Sequence, residues 1–256
     1  MKVTVLGTGT SQGVPVIACS CEVCKSTDAK DKRLRVSVMV EVEGVNLVID
    51  TGPDFRQQML RANTQFLDAV LFTHEHKDHT AGLDDIRAFN FKQGRDMEVY
   101  AHPRVQEALK LEFSYIFAEN KYPGIPQVHL DDISKEASFM VENKVEVTPI
   151  EVMHYKLPVL GFRIKDFTYI TDAKTISLEE KKKIRGTKVL IVNALRQEEH
   201  ISHFNLEEAL EFINEIGPEA AYLTHISHLF GKHEDIEKLL PENVHVAYDG
   251  LILNID

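Results

Sequence analysis

Short apolar runs alternate with polar, Gly- and Pro-marked breaks along the whole chain, the rhythm of strands and helices taken in turn. Residues 3–6 read as a first strand, ended by Gly7-Thr8-Gly9-Thr10-Ser11-Gln12-Gly13-Val14-Pro15. Residues 36–42 and Val45–Ile49 read as a hairpin around Glu43-Gly44. Residues 55–62 predict a helix with Asp54 as its N-cap, and residues 69–73 a buried strand. Helices follow over 83–91 and 103–117, with a short strand at 99–101 between them and Pro103 opening the second helix. Residues 118–132, with Tyr122-Pro123-Gly124-Ile125-Pro126, read as an irregular loop of the length often used as a lid. The second half repeats the rhythm. Strands are expected at 145–152, 161–164, 168–170, 189–194 and 220–223, and a helix at Leu206–Ile216 capped by Asn205 and Glu208. A short helix at 234–240 and two terminal strands close the chain.

The apolar strand at 69–73 runs directly into His74-Glu75-His76-Lys77-Asp78-His79. In extended backbone, residues two apart share a face. His74, His76 and Asp78 therefore point one way, and a turn at Asp78 brings His79 round. Nitrogen and oxygen donors this close suit Zn, Mn or Fe. A solvated His-rich loop is the bland alternative. Four candidate ligands leaving a buried strand ahead of Gly82 argue against it. Asp50, at a strand end before Thr51-Gly52, reads as a buttress to a site rather than a ligand. His102 reads as structural, and Arg87 as one half of an ordinary ion pair.

Composition narrows the possibilities. The 256 residues are 43% hydrophobic, enough for a sizeable core. No apolar run approaches the roughly 20 residues of a membrane helix. Residues 1–6 are too short for a signal-peptide core before Gly7, so the expected location is cytoplasmic. The formal net charge of −11 disfavours long nucleic acids as partners, while a small anion remains acceptable to a metal centre. Cys19, Cys21 and Cys24 are an odd number of thiols in a C-x-C-x-x-C cluster. That pattern points to metal rather than disulfides, and a closed zinc site needs a fourth ligand, a His being the natural candidate.

H-x-H-x-D-H after a hydrophobic strand resembles the metallo-β-lactamase superfamily. The resemblance implies an αββα sandwich, here read as one hydrolase domain over residues 1–256, with a one- or two-metal hydrolytic centre between its sheets. Carried over residue by residue, it implies that His74, His76 and His154 hold a first divalent metal ion. Asp78, His79 and His225 would hold a second, and Asp172 would bridge them. Four features narrow the resemblance: the stretch 7–15, the cysteine cluster, Thr171-Asp172-Ala173, and Leu223-Thr224-His225-Ile226-Ser227-His228-Leu229-Phe230. Together these resemble the phosphoribosyl 1,2-cyclic phosphate phosphodiesterase family of the carbon–phosphorus lyase pathway. That implies two Zn or Mn ions in the active site and one structural Zn on Cys19, Cys21, Cys24 and His228. It also implies a small phosphodiester substrate, cyclic ribose phosphate first. His203 and Asp78 are the catalytic residues implied, His203 as general acid, with His200 three residues away as the competing candidate. Two metals about 3.5–4 Å apart lower the pKa of a shared water and clamp the attacking and leaving oxygens. The rival readings are a ribonuclease Z-like enzyme, a general cyclic-nucleotide phosphodiesterase, and an accessory protein resembling that of pyrroloquinoline quinone synthesis. A homodimer is left open by the sequence.

Overall fold

A computed structural model describes residues 1–120 and 122–256. Two sheets face one another, and each turns its other side to helices. The first sheet has the order Ile252–Asn254, Lys2–Gly7, Ser37–Val42, Val45–Ile49, Ala69–Leu71, Met97–Ala101, Val128–Asp132. The second runs Thr175–Ile176, Val145–His154, Leu157–Ile164, Phe167–Ile170, Val189–Asn193, Ala220–Thr224, Val244–Val246, with Phe139–Val141 paired to Val145–His154.

Three separate apolar clusters make the layering explicit. Between the sheets lie Val38, Val40, Leu47, Ile49, Leu71, Val147, Phe162, Phe167 and Tyr169. On the far side of the first sheet, Val48, Val70 and Val99 pack against Phe55, Phe89, Val105 and Leu109 of its helices. On the far side of the second, Ile170, Leu190 and Val192 meet Ile184, Ala209, Phe212 and Ile213. A strand buried on both faces reads as a continuous apolar run, which is why 69–73 and 189–194 show no alternation. The αββα sandwich expected from the sequence is present.

Within each sheet the final strands are parallel. Val45–Ile49, Ala69–Leu71, Met97–Ala101 and Val128–Asp132 run together in the first. Phe167–Ile170, Val189–Asn193, Ala220–Thr224 and Val244–Val246 do so in the second. Parallel strands place their carboxyl ends, and the loops leaving them, along one edge, where ligands of α/β folds bind.

Some elements differ from expectation. The helix expected over 103–117 breaks at Phe113 into Pro103–Glu112 and Ser114–Phe117, because Phe113 leaves helical geometry (φ −107°, ψ 43°) while its side chain stays in the core. The helix expected over 83–91 starts as a 3₁₀ turn, Leu83–Ile86, and becomes α-helical at Arg87–Gln93, ending at left-handed Gly94. The stretch 118–132, read as a loop, contains the edge strand Val128–Asp132; Lys121 in the same stretch lies outside the described residues. A helix at Leu178–Ile184, begun by Ser177 accepting from the Glu180 N–H at 3.3 Å, was not anticipated. Among the described residues no helix is long and apolar enough to cross a membrane.

Candidate metal centre

The loops at the carboxyl edge bring the seven expected ligands together. His74, His76, Asp78 and His79 follow Ala69–Leu71, and His154 ends Val145–His154. Asp172 follows Phe167–Ile170, and His225 follows Ala220–Thr224. Ring centroids of His74 lie 4.6 Å from His76, 4.1 Å from His79 and 6.1 Å from His154. His79 and His225 stack at 5.8 Å.

Hydrogen bonds around the cluster fix which ring nitrogen faces inward. His79 Nδ1–H donates to Asp50 Oδ2 at 2.6 Å. Thr73 Oγ1 donates to Asp50 Oδ2 at 2.8 Å and accepts from His74 Nδ1–H at 2.9 Å. His154 Nδ1–H donates to the Ser202 carbonyl at 2.9 Å. His225 Nδ1–H donates to Thr171 Oγ1 at 3.2 Å, and that hydroxyl donates to Asp172 Oδ2 at 2.6 Å. Each of these rings is thereby left with an Nε2 lone pair for a cation, the usual arrangement around a metal-bound imidazole. Asp50, fully buried and held by the Thr73 N–H and hydroxyl, is a buttress as expected.

The donor spacing fits divalent metals. Tetrahedral N and O ligands at about 2.0–2.1 Å from zinc stand about 3.3 Å apart. His79 Nε2 lies 3.3 Å from Asp78 Oδ2 and 3.3 Å from Asp172 Oδ2. His74 Nε2 lies 3.0 Å from His76 Nδ1. Fully buried His79 Nε2 has no hydrogen-bond partner among the described residues, and a cation would satisfy it. Burial pushes His225 down to about 4 and His74 well below the ordinary imidazole value, so both stay neutral ligands near pH 7. Burial would lower His79 as well, but Asp50, Asp172 and Asp78 outweigh it and raise the ring well above its ordinary value. A divalent ion held here would take the place of that proton.

The backbone is bent to aim these groups. Asp50, Asp172 and His225 all sit at positive φ (66°, 55° and 56°) just beyond a strand end. Such conformations cost non-glycine residues about 1–3 kcal/mol each and cluster at functional sites. Gly52 and Gly82 pack backbone on backbone beneath the His loop: a Cβ on Gly52 would lie 2.1 Å from the Asp78 carbonyl oxygen.

The remaining candidates are also placed. His203 is buried beside the cluster, its Nε2 3.0 Å from Asp172 Oδ1 and its ring 4.4 Å from that of His154. His200 lies farther out, its ring 5.0 Å from that of His203. Arg87 pairs with Asp84 at 3.3 Å, His102 caps its helix by accepting from the Arg104 N–H at 3.2 Å, and the Tyr115 hydroxyl donates to Asp84. Tyr122 is exposed.

Thr10 was missed. Its Oγ1 lies 3.1 Å from His225 Nε2, because the stretch 7–15 pairs with the His225 loop through Thr10 N–H to Ile226 O (3.1 Å) and Ile226 N–H to Thr8 O (2.8 Å). A Gly-Thr repeat after a strand carries no signal for that long-range pairing.

The cysteine cluster and His228 come together as a second group that could hold a metal. His228 Nδ1 lies 3.3 Å from Cys19 Sγ, 3.5 Å from Cys21 Sγ and 3.6 Å from Cys24 Sγ. Zn–S bonds of about 2.3 Å and Zn–N bonds of about 2.0–2.1 Å place tetrahedral S and N donors about 3.6 Å apart. Cys21 caps the helix Glu22–Lys25, and the Cys24 N–H on its sulfur pushes the thiol down to about 6. Burial pushes the Cys24 thiol up to about 11, so zinc would have to displace that proton.

Two facing sheets flanked by helices, with imidazole and carboxylate donors gathered at the strand ends, define the metallo-β-lactamase class of fold. The comparisons agree. Residues 45–226 match the family described as Beta-lactamase superfamily domain. The crystal structure of a new diphosphatase from the PhnP family is 36% identical, covers 100% of this chain and 98% of that one, and superposes with a TM-score of 0.92. Zn(2+)-bound PqqB from Methylobacterium extorquens shares the fold at 21% identity, TM-score 0.80, with complete coverage of both chains. An octanoyltransferase of Porphyromonas gingivalis is 40% identical over 258 residues, and the match spans all of this chain but about half (52%) of that protein. The chain belongs to the metallo-β-lactamase superfamily and stands close to its PhnP family.

Proposed function

We propose that the chain is a metal-dependent hydrolase of small phosphodiesters, with a cyclic ribose phosphate as the first substrate to test. Residues 1–256 act in this reading as one hydrolase domain. His74, His76 and His154 hold one divalent ion, Asp78, His79 and His225 hold another, and Asp172 joins them. When bound, the metal pair supplies an activated water and offsets the charge of an anionic phosphodiester. Cys19, Cys21, Cys24 and His228 hold a structural zinc. Free thiols poised for metal suit a reducing compartment, so the cytoplasm is the expected location.

The observation that carries the reading is His203. It is buried, stands 3.0 Å from Asp172, and is positioned on the centre without being needed as a ligand. An alkoxide leaving group requires a proton, and an imidazole is the side chain best suited to give one near neutral pH. The departing thiolate of a thioester makes no comparable demand. The His203→Ala variant is expected to lose about 10²–10⁴-fold in turnover on a substrate with an alkyl leaving group. Its loss on bis(p-nitrophenyl) phosphate should be much smaller, since p-nitrophenolate leaves unprotonated. Equal losses on both would assign His203 to binding.

The diphosphatase relative favours a second reading, hydrolysis of a diphosphate ester. There the leaving group is a phosphate, which depends less on an acid. A panel run with Zn- and Mn-reconstituted protein separates these: a cyclic ribose phosphate, 2′,3′-cyclic nucleotides, bis(p-nitrophenyl) phosphate, a nucleoside diphosphate ester, a β-lactam and an octanoyl thioester. The phosphodiesters are expected to turn over fastest. Preferential thioester cleavage, or efficient 3′ processing of precursor transfer RNA, would overturn the proposal.

A further inference from the structure

The geometry points to His200 as a positioning residue that holds the His203 ring in its working orientation through a hydrogen bond between their Nδ1 atoms. The inference rests on the phosphodiesterase reading for its kinetic consequences, but not for its structural test. His203 has two ring nitrogens and two environments. Its Nε2 faces the metal centre at Asp172 Oδ1, 3.0 Å away. Its Nδ1 faces outward, 3.1 Å from His200 Nδ1 and 3.1 Å from Ser202 Oγ.

Two imidazole nitrogens 3.1 Å apart cannot both present lone pairs; one must carry the hydrogen. The Ser202 backbone decides which. Its N–H points to His200 Nδ1 at 3.3 Å, and its hydroxyl lies 3.3 Å from the same atom. A backbone N–H only donates, so His200 Nδ1 is an acceptor and the hydrogen of the His200 ring sits on Nε2. His203 Nδ1–H then donates to His200. Burial, with His203 and Arg196 nearby, lowers the His200 imidazole below its ordinary value, which keeps that acceptor neutral and available. The Ser202 carbonyl meanwhile accepts from His154 Nδ1–H at 2.9 Å. One turn, 200–203, thus orients the group expected to give the proton and one expected metal ligand together.

A ring free to turn about its χ2 bond swaps the nitrogen it offers to the substrate. A hydrogen bond on the outer nitrogen removes that freedom, as partners behind metal-bound imidazoles do. This also separates the two candidates for the general acid. His200 presents its ring to His203 and not to the centre.

The test is a variant set with two readouts. His200→Ala is expected to lower kcat on an alkyl-leaving phosphodiester by about 10–100-fold, the usual cost of losing such a partner, with KM little changed. His200→Asn, whose Oδ1 keeps an acceptor near the Nδ1 position, should recover most of that loss. His200→Ala in a His203→Ala background should cost nothing further, since two residues acting as one unit are not additive. Additive losses, a change confined to KM, or equal effects on p-nitrophenyl substrates would overturn the assignment. Long-range ¹H–¹⁵N correlation spectra of the zinc-loaded protein decide it without turnover. His200 should appear as the Nε2–H tautomer, and His203 Nδ1 should shift in His200→Ala but stay near its place in His200→Asn. A His200 ring protonated at Nδ1, or His203 signals unmoved by His200→Ala, would refute it. If the wild-type protein cleaves no phosphodiester, the functional proposal falls while the spectra still judge His200.

Discussion

Asp172→Asn is expected to abolish measurable phosphodiester hydrolysis and to lower the active-site metal content of the protein. Asp172 is the residue shared by the two halves of the donor cluster: Oδ2 lies 3.3 Å from His79 and 3.2 Å from His225, while Oδ1 lies 3.0 Å from His203. It is grouped at ligand distance both with His74 and His79 and with His154 and His203. Asparagine keeps the size, tolerates the left-handed backbone at φ 55°, and still accepts from His203. What it loses is the charge. A carboxylate amid imidazoles would let two dications be held together, and a neutral amide oxygen would hold them far less well. A catalytic metal lowers the pKa of its water from about 15.7 to about 7, so losing it removes up to about eight decades of available nucleophile at neutral pH. We therefore expect a loss beyond about 10⁴-fold, larger than that of His203→Ala. Metal analysis and turnover of the reconstituted variant check it, with circular dichroism to establish that the chain is folded. An Asn variant with two tightly bound ions and near-normal kcat would remove Asp172 from the bridging position.

How much of this centre was legible in the sequence follows from how its residues are connected. His74, His76, Asp78 and His79 are contiguous, so spacing alone announced them. His154, Asp172 and His225 arrive one at a time from distant strands, and their membership was implied by the family resemblance rather than by any local pattern. Asp50 was legible as a buttress because a carboxylate at a strand end before Gly52 has little else to do. The contacts that fix ring orientation were not legible: Thr73 on His74, Ser202 on His154, Thr171 on His225. Each depends on which loop edge meets which, a tertiary fact with no periodicity behind it. The fold followed the same division. Strands buried on both faces stood out as apolar runs. The edge strand Val128–Asp132, with His129 and Asp132 exposed, has too little hydrophobic signal to separate it from a loop. The break at Phe113 escaped because its side chain keeps the apolar rhythm that a continuous helix would show.

Cys21→Ser should release one tightly bound zinc per chain and lower the melting temperature by about 5–10 °C, leaving the dinuclear centre able to load. His228 and Cys24 stand 204 residues apart in sequence yet 3.6 Å apart in space. Zinc bound there joins the first loop of the chain to the turn that carries His225. The ends of the chain are already tied by the pairing of Lys2–Gly7 with Ile252–Asn254, so the zinc is not needed to bring them together. Its contribution comes from binding the folded state and not the unfolded one, about 2.7 kcal/mol when free zinc is 100-fold above its dissociation constant. For a chain of this size each kcal/mol moves the melting point by about 2–4 °C. Cys21 is the informative position. Of Cys21 and Cys24 it is the more readily ionised, since the Cys24 N–H donates to its sulfur, and a serine hydroxyl at the same N-cap keeps the short helix capped while failing as a soft ligand. The fall should therefore report metal loss rather than helix fraying. Added chelator should lower the wild-type melting point by a similar amount from this site, beyond whatever the catalytic metals contribute, and should lower that of Cys21→Ser by the catalytic-metal share alone. His225 lies three residues before His228, and its neighbour Ile226 is bound to Thr8 and Thr10 of the first loop. Loosening the zinc turn should then weaken binding at the second active-site ion more than at the first, seen as a selective rise in one of two metal dissociation constants. A Cys21→Ser protein with full zinc content and unchanged melting point would make the three cysteines ordinary thiols.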